Sequence, residues 1–464
     1  MKILINLIFL FATLNLAAQA PSNFLLYSLK GFTGEQAVLF SIKGSETVAI
    51  DTVQKQSTGT FVFHNIEQYP AGMYSVYFND SLYTELIFNK EDIIVETEVG
   101  DIVKNMQIRK SLENQILFDY WNFALEIRDS VTLLSIQKAN LEKSKNATDY
   151  IKIKNIEKKI LRYNSEIYQY VKTMNIDYRD YFAPKLLKSY IVPSFEEYQL
   201  DNPENKYEDE QQFYFEHFFD NIDFSDARFL NTKVIFVSLS DYMKAFGTPA
   251  STKNYIEIID QVMDKAYANR EVYNYCLDLF IQTFENSLWE EVFVHLIDHY
   301  YLTSYVANPE MGAYYAGLSA RIKALKPGKL APEILLQDTL GNIVNLHNTK
   351  AKAKIIVFYS SDCSHCAEAL PSIIETYDMY KELGVEGFGI CIDDNLNSWK
   401  KEINKFNMNW VNLSDLKGTQ SPILQTYNIT STPTIIILNE NNIIMDKPKN
   451  INDIHATLVQ VLNL

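Results

Sequence analysis

Short runs of apolar and β-branched residues alternate with turn residues in the first part of the chain. Glycine, asparagine and aspartate separate these runs, so each run has the length of a strand and is too short for a typical helix. The pattern predicts an antiparallel β-sandwich over residues 21–105. The predicted strands are residues 24–29, 37–42, 59–63, 72–78, 83–88 and 93–99.

The pattern becomes helical after this domain, where glycine and proline are rare over long stretches. Apolar residues recur there at helical spacing, as in Ile116, Tyr120 and Ile127, and this spacing places them on one face of a helix. The sequence therefore predicts a central all-α domain over residues 106–324. Residues 325–332 contain two prolines and a glycine and are predicted to be a linker.

Strand-like and helical stretches alternate over residues 333–464. The continuous apolar run 355–359 predicts a buried strand, and the helical spacing over 367–383 predicts the helix that follows it. This alternation favours an α/β domain, so the whole chain is predicted to be a multi-domain protein. Further strands are predicted at 388–394, 410–413, 435–438 and 442–445, and further helices at 395–406, 421–427 and 451–462.

The N-terminal residues 1–20 have the features of a secretory signal peptide. Lys2 precedes an apolar run over residues 3–16, and Ala18-Gln-Ala20 offers small residues for cleavage. An uncleaved membrane anchor is the alternative. No later run reaches the roughly 18 apolar residues of a membrane span, so we expect an exported protein of the periplasm or cell envelope.

Composition narrows the classes of function. The formal net charge is −16, whereas nucleic-acid binding depends on basic surfaces that neutralise phosphates. The charge therefore argues against a nucleic-acid partner. Hydrophobic residues make up 47% of the chain, which is too many for a globally disordered protein.

Two cysteines stand at the point where the predicted strand 355–359 gives way to the helix. Cys363 and Cys366 form a Cys-Ser-His-Cys sequence, with Cys363 at or beside the helix N-terminus. Unpaired backbone N–H groups and the helix dipole favour a negative charge there, so they stabilise a thiolate. Cys-x-x-Cys on a strand–turn–helix is a strong signal for redox chemistry.

These residues resemble the thioredoxin superfamily. Pro371 follows Cys366 at the family's usual distance, and the stretch 427–434 is similar to the family's cis-proline loop, with Thr432 preceding Pro433 as the cis residue. The long separation between dithiol and loop resembles the TlpA/ResA-type envelope thiol–disulfide oxidoreductases. The β and helical regions before them resemble accessory domains of Bacteroidetes envelope proteins.

The resemblance implies a thioredoxin fold over residues 333–464 and a function in thiol–disulfide exchange. Cys363 is expected to attack a substrate disulfide and Cys366 to resolve the mixed disulfide, which leaves a Cys363–Cys366 disulfide. Thr432 and Pro433 are expected to bind the substrate backbone. The implied partners are disulfide-containing envelope proteins, with a membrane thiol carrier as electron donor; no cofactor and no metal are implied.

Departures from the thioredoxin pattern bear on the redox potential. His365, just before the second cysteine, is expected to stabilise the thiolate, whereas Asp362 beside the first is expected to raise its pKa. Val357 stands where thioredoxins often have a buried acid, so that proton acceptor for Cys366 is missing. Whether these effects together raise or lower the redox potential stays open. The prediction that the protein is a reductase and not an oxidase therefore rests on the resemblance.

Other candidate sites and functions are weaker. His295 and His299 are spaced for one helix face, but no third metal ligand follows at a recognisable spacing, so both are interpreted as ordinary core or surface residues. Cys276 and Cys391 are interpreted as core residues. Two alternative functions stay open: a partner-binding envelope protein with a regulatory redox module, and a peroxiredoxin-like antioxidant that uses Cys363.

Overall fold

The computed structural model describes residues 23–144, 149–202, 204, 206–207, 209–303 and 309–464. The predicted signal peptide, residues 1–20, lies outside this range. Backbone contacts divide the chain into two compact units, residues 1–276 and 277–464. In the described residues, no helix has the length and apolar content that a bilayer crossing needs.

The first unit begins with two four-stranded sheets, in the orders β4-β1-β7-β8 and β3-β2-β5-β6. Side chains from both sheets, among them Tyr27, Leu39 and Val76, belong to one hydrophobic core, while the finer sandwich arrangement stays a prediction. The strands are β1 (Phe24–Lys30), β2 (Gln36–Lys43), β3 (Glu46–Gln54), β4 (Thr60–His64), β5 (Gly72–Asn79), β6 (Leu82–Phe88), β7 (Ile93–Glu98) and β8 (Gln107–Lys110).

The strand pairing corrects the sequence-based prediction in two respects. The pairing is antiparallel except between β1 and β7, which run parallel, so a purely antiparallel domain is wrong. Strands β3 and β8 were not predicted. Strand β3 is an edge strand that is largely exposed, and β8 has four residues, so neither carries the apolar alternation that marks a half-buried strand.

Helices follow in the first unit, as predicted, except that the predicted all-α region 106–324 begins with β8. Helix α8 contains the boundary between the units at residue 276. The helices are α1 (Leu112–Ser144), α2 (Tyr150–Asp177), α3 (Phe182–Ser189), α4 (Phe195–Asp201), α5 (Glu210–His217), α6 (Val234–Phe246), α7 (Thr252–Ala266) and α8 (Arg270–Phe284).

The second unit contains the last helices of the middle region together with the α/β domain. Its five-stranded sheet consists of β11 (Ala353–Tyr359), β12 (Val385–Cys391), β13 (Val411–Leu413), β14 (Thr434–Asn439) and β15 (Ile444–Asp446), in the spatial order β13-β12-β11-β14-β15. Strand β11 pairs parallel with β12 and antiparallel with β14. Hydrophobic cores lie on both faces of this sheet. The helices before the sheet are α9 (Glu290–His295), a π-helix (Leu296–Tyr301) and α10 (Pro309–Ala324).

This α/β region confirms the predicted order of strands and helices to within a few residues, and it adds a hairpin, β9–β10, that was not predicted. Its elements are β9 (Leu335–Gln337), β10 (Ile343–Asn345), β11 (Ala353–Tyr359), α11 (Ser364–Tyr380), β12 (Val385–Cys391), α12 (Leu396–Phe406), β13 (Val411–Leu413), α13 (Pro422–Thr426), β14 (Thr434–Asn439), β15 (Ile444–Asp446) and α14 (Ile451–Leu462).

Candidate active site

The dithiol lies where the fully buried strand β11 ends and α11 begins. Cys363 is the N-cap residue of α11, and its Sγ accepts a hydrogen bond of 3.1 Å from the backbone N–H of Cys366. This is the role that a serine or aspartate oxygen usually plays at a helix start. Cys363 is half-buried and Cys366 is fully buried, and both are free thiols. Of the two cysteines, only Cys363 is therefore partly accessible from outside the protein.

The loop before β14 lies against the Cys363 sulfur although it is 69 residues away in sequence. The Sγ–H of Cys363 donates to the carbonyl oxygen of Thr432 across 3.2 Å. The peptide bond between Thr432 and Pro433 is cis, in agreement with the sequence-based expectation. The antiparallel pairing of β11 with β14 brings the two segments together at one end of the sheet.

The two thiols have pKa values that differ in opposite directions from an ordinary cysteine. Burial raises the pKa of Cys363, but hydrogen bonds from the Cys366 thiol, from the Thr432 side chain and from the backbone N–H groups at the helix start outweigh it and lower the pKa. Burial is the main cause that raises the pKa of Cys366. The arrangement therefore favours Cys363 as the thiolate and keeps Cys366 protonated.

The residues around the cysteines occupy different environments. The side chains of Asp362 and His365 are exposed, where solvent weakens any charge effect on the sulfur, and their tuning roles stay predictions. Val357 is fully buried in β11, so an apolar side chain occupies the position at which thioredoxins often have a buried acid.

Asp393 is a residue of this site that the sequence analysis missed. Its carboxylate accepts hydrogen bonds from the Ser360 hydroxyl at 2.7 Å and from the Ser361 N–H at 3.1 and 3.2 Å. The Cys363 N–H in turn donates to the Ser360 carbonyl at 3.3 Å, so Asp393 fixes the turn that presents the sulfur. A signal for it existed, because the carboxyl ends of the parallel neighbours β11 and β12 meet at one edge of the sheet.

The remaining cysteines are buried, as predicted. Cys276 is fully buried, and burial raises its pKa to about 12. Cys391 ends β12 at 2% exposure, and burial raises its pKa as well. Both are free thiols, and their environments disfavour the thiolate that exchange chemistry needs.

The two histidines considered as metal ligands lie side by side, with 4.4 Å between the ring centres of His295 and His299. His295 ends α9, and His299 lies within the π-helix that follows. In the part of the chain that the structure describes, no group of three or more His, Cys, Asp or Glu side chains could hold a metal ion.

A capped, half-buried thiol beside a buried one and opposite a cis-proline loop defines a thioredoxin-like domain of the thiol–disulfide oxidoreductase class. Residues 327–447 match the AhpC/TSA family. The chain is 27% identical over 133 residues to "Thiol-disulfide oxidoreductase ResA" of a Bacillus cereus strain, covering 29% of this chain and 75% of the relative. It is 25% identical over 126 residues to the ResA protein of Bacillus subtilis, covering 27% and 68%. These matches confirm the TlpA/ResA-type resemblance of this domain.

Two solved structures are similar in part. The thioredoxin domain of a thiol–disulfide oxidoreductase from Bacteroides vulgatus is 29% identical and covers 30% of this chain and 99% of that chain, with a TM-score of 0.28. A thioredoxin-like protein from Bacteroides caccae is 19% identical and covers 58% of this chain and 98% of that chain, with a TM-score of 0.46.

Proposed function

We propose that this protein is exported and reduces disulfide bonds of envelope proteins through Cys363 and Cys366. The observation that carries the proposal is the Cys363 sulfur, which is half-buried, held at the N-terminus of α11 and in contact with the Thr432 carbonyl. A lowered pKa gives Cys363 more thiolate near neutral pH than an ordinary cysteine has.

The proposed reaction proceeds in two exchanges. The Cys363 thiolate attacks one sulfur of the substrate disulfide, the substrate S–S bond breaks, and its leaving thiolate takes up a proton. The Cys366 thiol then loses its proton and attacks the Cys363 sulfur, which releases the second substrate thiol. The substrate gains two electrons and two protons, and the enzyme is left with a Cys363–Cys366 disulfide. A membrane thiol carrier is the proposed donor that reduces it again.

Substrate binding is assigned to Thr432 and Pro433, and tuning of the thiolate to His365 and Asp362. The direction of the reaction depends on the reduction potential, and each tenfold step in the equilibrium corresponds to about 30 mV. Equilibration of the full-length protein with glutathione buffers measures it. A potential below about −220 mV supports the reductase, and one near −120 mV contradicts it in favour of an oxidase.

Export is tested separately from chemistry. Cells that express the full-length chain are fractionated, and the N-terminus of the mature protein is sequenced. Cleavage after residue 20 and recovery from the envelope fraction support the proposal. An intact N-terminus in the cytoplasmic fraction contradicts it.

The two alternatives make different predictions. A peroxiredoxin-like antioxidant consumes peroxide with Cys363 as the peroxidatic thiol. If the protein consumed peroxide faster than it exchanged disulfides, the antioxidant function would be favoured over the proposed reductase. A partner-binding protein with a regulatory dithiol keeps its partner when Cys363 is replaced by serine. Capture of the same envelope protein by wild type and variant, without exchange activity in either, would favour that alternative.

A further inference from the structure

A cleft of about 430 Å³ lies beside the cis-proline loop of the second unit. One side is formed by the thioredoxin-like domain, with Ala369 and Ile373 of α11 and Pro433 next to the carbonyl that contacts the reactive sulfur. The opposite side comes from residues 287–290, which precede the predicted linker and lie outside the region that matches the AhpC/TSA family. This chain therefore adds a wall to the site from its middle region.

Residues 287–290 are held in place by contacts with the end of the thioredoxin-like domain. Glu290 forms an ion pair with Lys447, with a shortest oxygen–nitrogen distance of 2.6 Å, and it accepts a weaker hydrogen bond of 3.4 Å from Asn428. Both partners of the ion pair are largely shielded from solvent, at 30% and 22% side-chain exposure. A shielded, bidentate pair of this kind fixes geometry better than an exposed one.

Lys449 forms the rim of the cleft. Its Nζ lies 4.8 Å from the centre of the Trp289 ring and donates to the Leu288 carbonyl across 3.3 Å. Among the described residues no carboxylate pairs with Lys449, so its exposed positive charge is available to a ligand.

Leu288 supplies the apolar part of the wall. It lines the cleft with 68% of its surface exposed, opposite apolar side chains that include Ile373, Pro433 and Ile435. When an apolar side chain of a ligand enters the space between Leu288 and the apolar surface opposite it, water is displaced from both sides. Burial of the ligand side chain and of Leu288 is favourable.

We propose that residues 287–290 and Lys449 form a specificity wall that binds the substrate polypeptide next to its reactive cysteine. An apolar side chain of the substrate packs on Leu288, and an acidic side chain of the substrate pairs with Lys449. Pro433 lines the cleft, and the carbonyl of the adjacent Thr432 contacts Cys363, so the cleft lies next to the point at which a substrate chain would be joined to Cys363 through its own sulfur. This inference rests on the proposed exchange function and names the class of substrate for it.

Competition between disulfide substrates tests the wall. Three disulfide-linked peptides are compared with full-length protein: one with leucine and aspartate beside the cysteine, one with leucine and lysine, and one with serine and lysine. Bis(2-hydroxyethyl) disulfide, a small neutral compound, is the reference because it cannot reach the wall. We expect kcat/KM to fall along the peptide series, by about tenfold between the first and the last. Equal values for the three peptides would overturn the inference.

Variants assign the effect to residues. For both leucine peptides, Leu288→Ala should lower kcat/KM relative to kcat/KM for bis(2-hydroxyethyl) disulfide by about fivefold. Lys449→Glu should reverse the preference between aspartate and lysine, and Lys449→Arg should retain it. The matched controls are Leu340→Ala and Lys417→Glu, which change exposed residues outside the cleft.

The outcomes separate the wall from the reaction itself. If the wild type does not exchange with bis(2-hydroxyethyl) disulfide, the proposed function is refuted. If it does, and the wild type and both wall variants have the same selectivity among the peptides, only the wall is refuted. Thermal unfolding of each variant shows whether it is folded. Should Leu288→Ala fail to fold, Leu288→Lys provides a second test, in which the leucine peptides lose their advantage over the serine peptide.

Discussion

Two helix N-termini in this protein bind an acceptor group in very different ways. At α3 in the first unit, the backbone N–H groups of Phe182 and Ala183 donate to the Glu113 carboxylate of α1 at 2.9 and 2.7 Å. At α11 in the second unit, the acceptor is the Cys363 sulfur of the capping residue itself. Both sites use the unpaired N–H groups that every helix start presents.

The difference between the two acceptors explains why we assign a structural role to one site and propose a reactive role for the other. Glu113 is 1% exposed and also accepts from the Asn89 amide, so its hydrogen-bonding capacity is used within the protein. Cys363 is half-buried, and its sulfur can form a bond with a molecule from outside. A helix start becomes a chemical site when its acceptor is both accessible and able to change partners.

The largest expected effect tests the reactive helix start. Cys363→Ser replaces the thiolate by a hydroxyl that is hardly ionised near neutral pH, so disulfide exchange should fall by about a thousandfold or more. Reduction of bis(2-hydroxyethyl) disulfide is the measurement, and Cys276→Ser in the first unit is the control. Cys366→Ser should instead accumulate a mixed disulfide visible by mass spectrometry. Retention of exchange by Cys363→Ser would contradict the assignment.

The structural helix start is tested by stability. Glu113→Ala leaves two buried N–H groups of α3 without their acceptor, which should lower the free energy of unfolding by about 3 kcal/mol. Urea unfolding measures the change, with Glu126→Ala on the exposed face of α1 as the control. A loss equal to that of the control would show that water or another group satisfies the α3 terminus.

A smaller effect is expected at Asp393, which acts on the reactive site as a positioning residue. Asp393→Ala removes the acceptor of the Ser360 hydroxyl and the Ser361 N–H, so the turn before Cys363 loosens and kcat/KM should fall about tenfold. Asp393→Asn keeps one acceptor oxygen, so its kcat/KM should fall less than that of Asp393→Ala. The exposed Asp394→Ala is the control. If Asp393→Ala moved only the pH midpoint of Cys363 alkylation, its role would be electrostatic instead.

The mildest test is the pH dependence of alkylation, which leaves the protein unchanged. Because the pKa of Cys363 is lowered, its reaction with iodoacetamide should rise with pH and level off at a lower pH than that of an ordinary cysteine. The pKa of Cys366 is raised by burial, so its alkylation rate should continue to increase at higher pH, where the rate of Cys363 is already constant. Peptide mass mapping distinguishes the two. Coincident profiles would contradict the asymmetry between the thiols.

Local pattern was enough to predict much of the second unit and part of the first. The helix after Cys363 and the buried strand before it follow from short stretches whose neighbours in sequence dominate their structure. The cis peptide at Pro433 was expected from the resemblance to the thioredoxin superfamily. Strand β3 was not predicted because it is a largely exposed edge strand without a clear apolar alternation. The parallel pairing of β1 with β7 could not be predicted because those two strands are distant in the chain.

The amino-acid pattern alone predicts the candidate residues for chemistry: a cysteine at a helix start, a second cysteine one turn later and a proline before a buried strand. Their surroundings depend on how the chain folds, including Asp393 at the turn before Cys363 and residues 287–290 beside the cleft. The physical reason is the distance along the chain over which each kind of interaction acts. Helix capping and strand burial act over a few residues, whereas hydrogen bonds and ion pairs between segments more than a hundred residues apart, such as Glu290 with Lys447, exist only once the chain has folded.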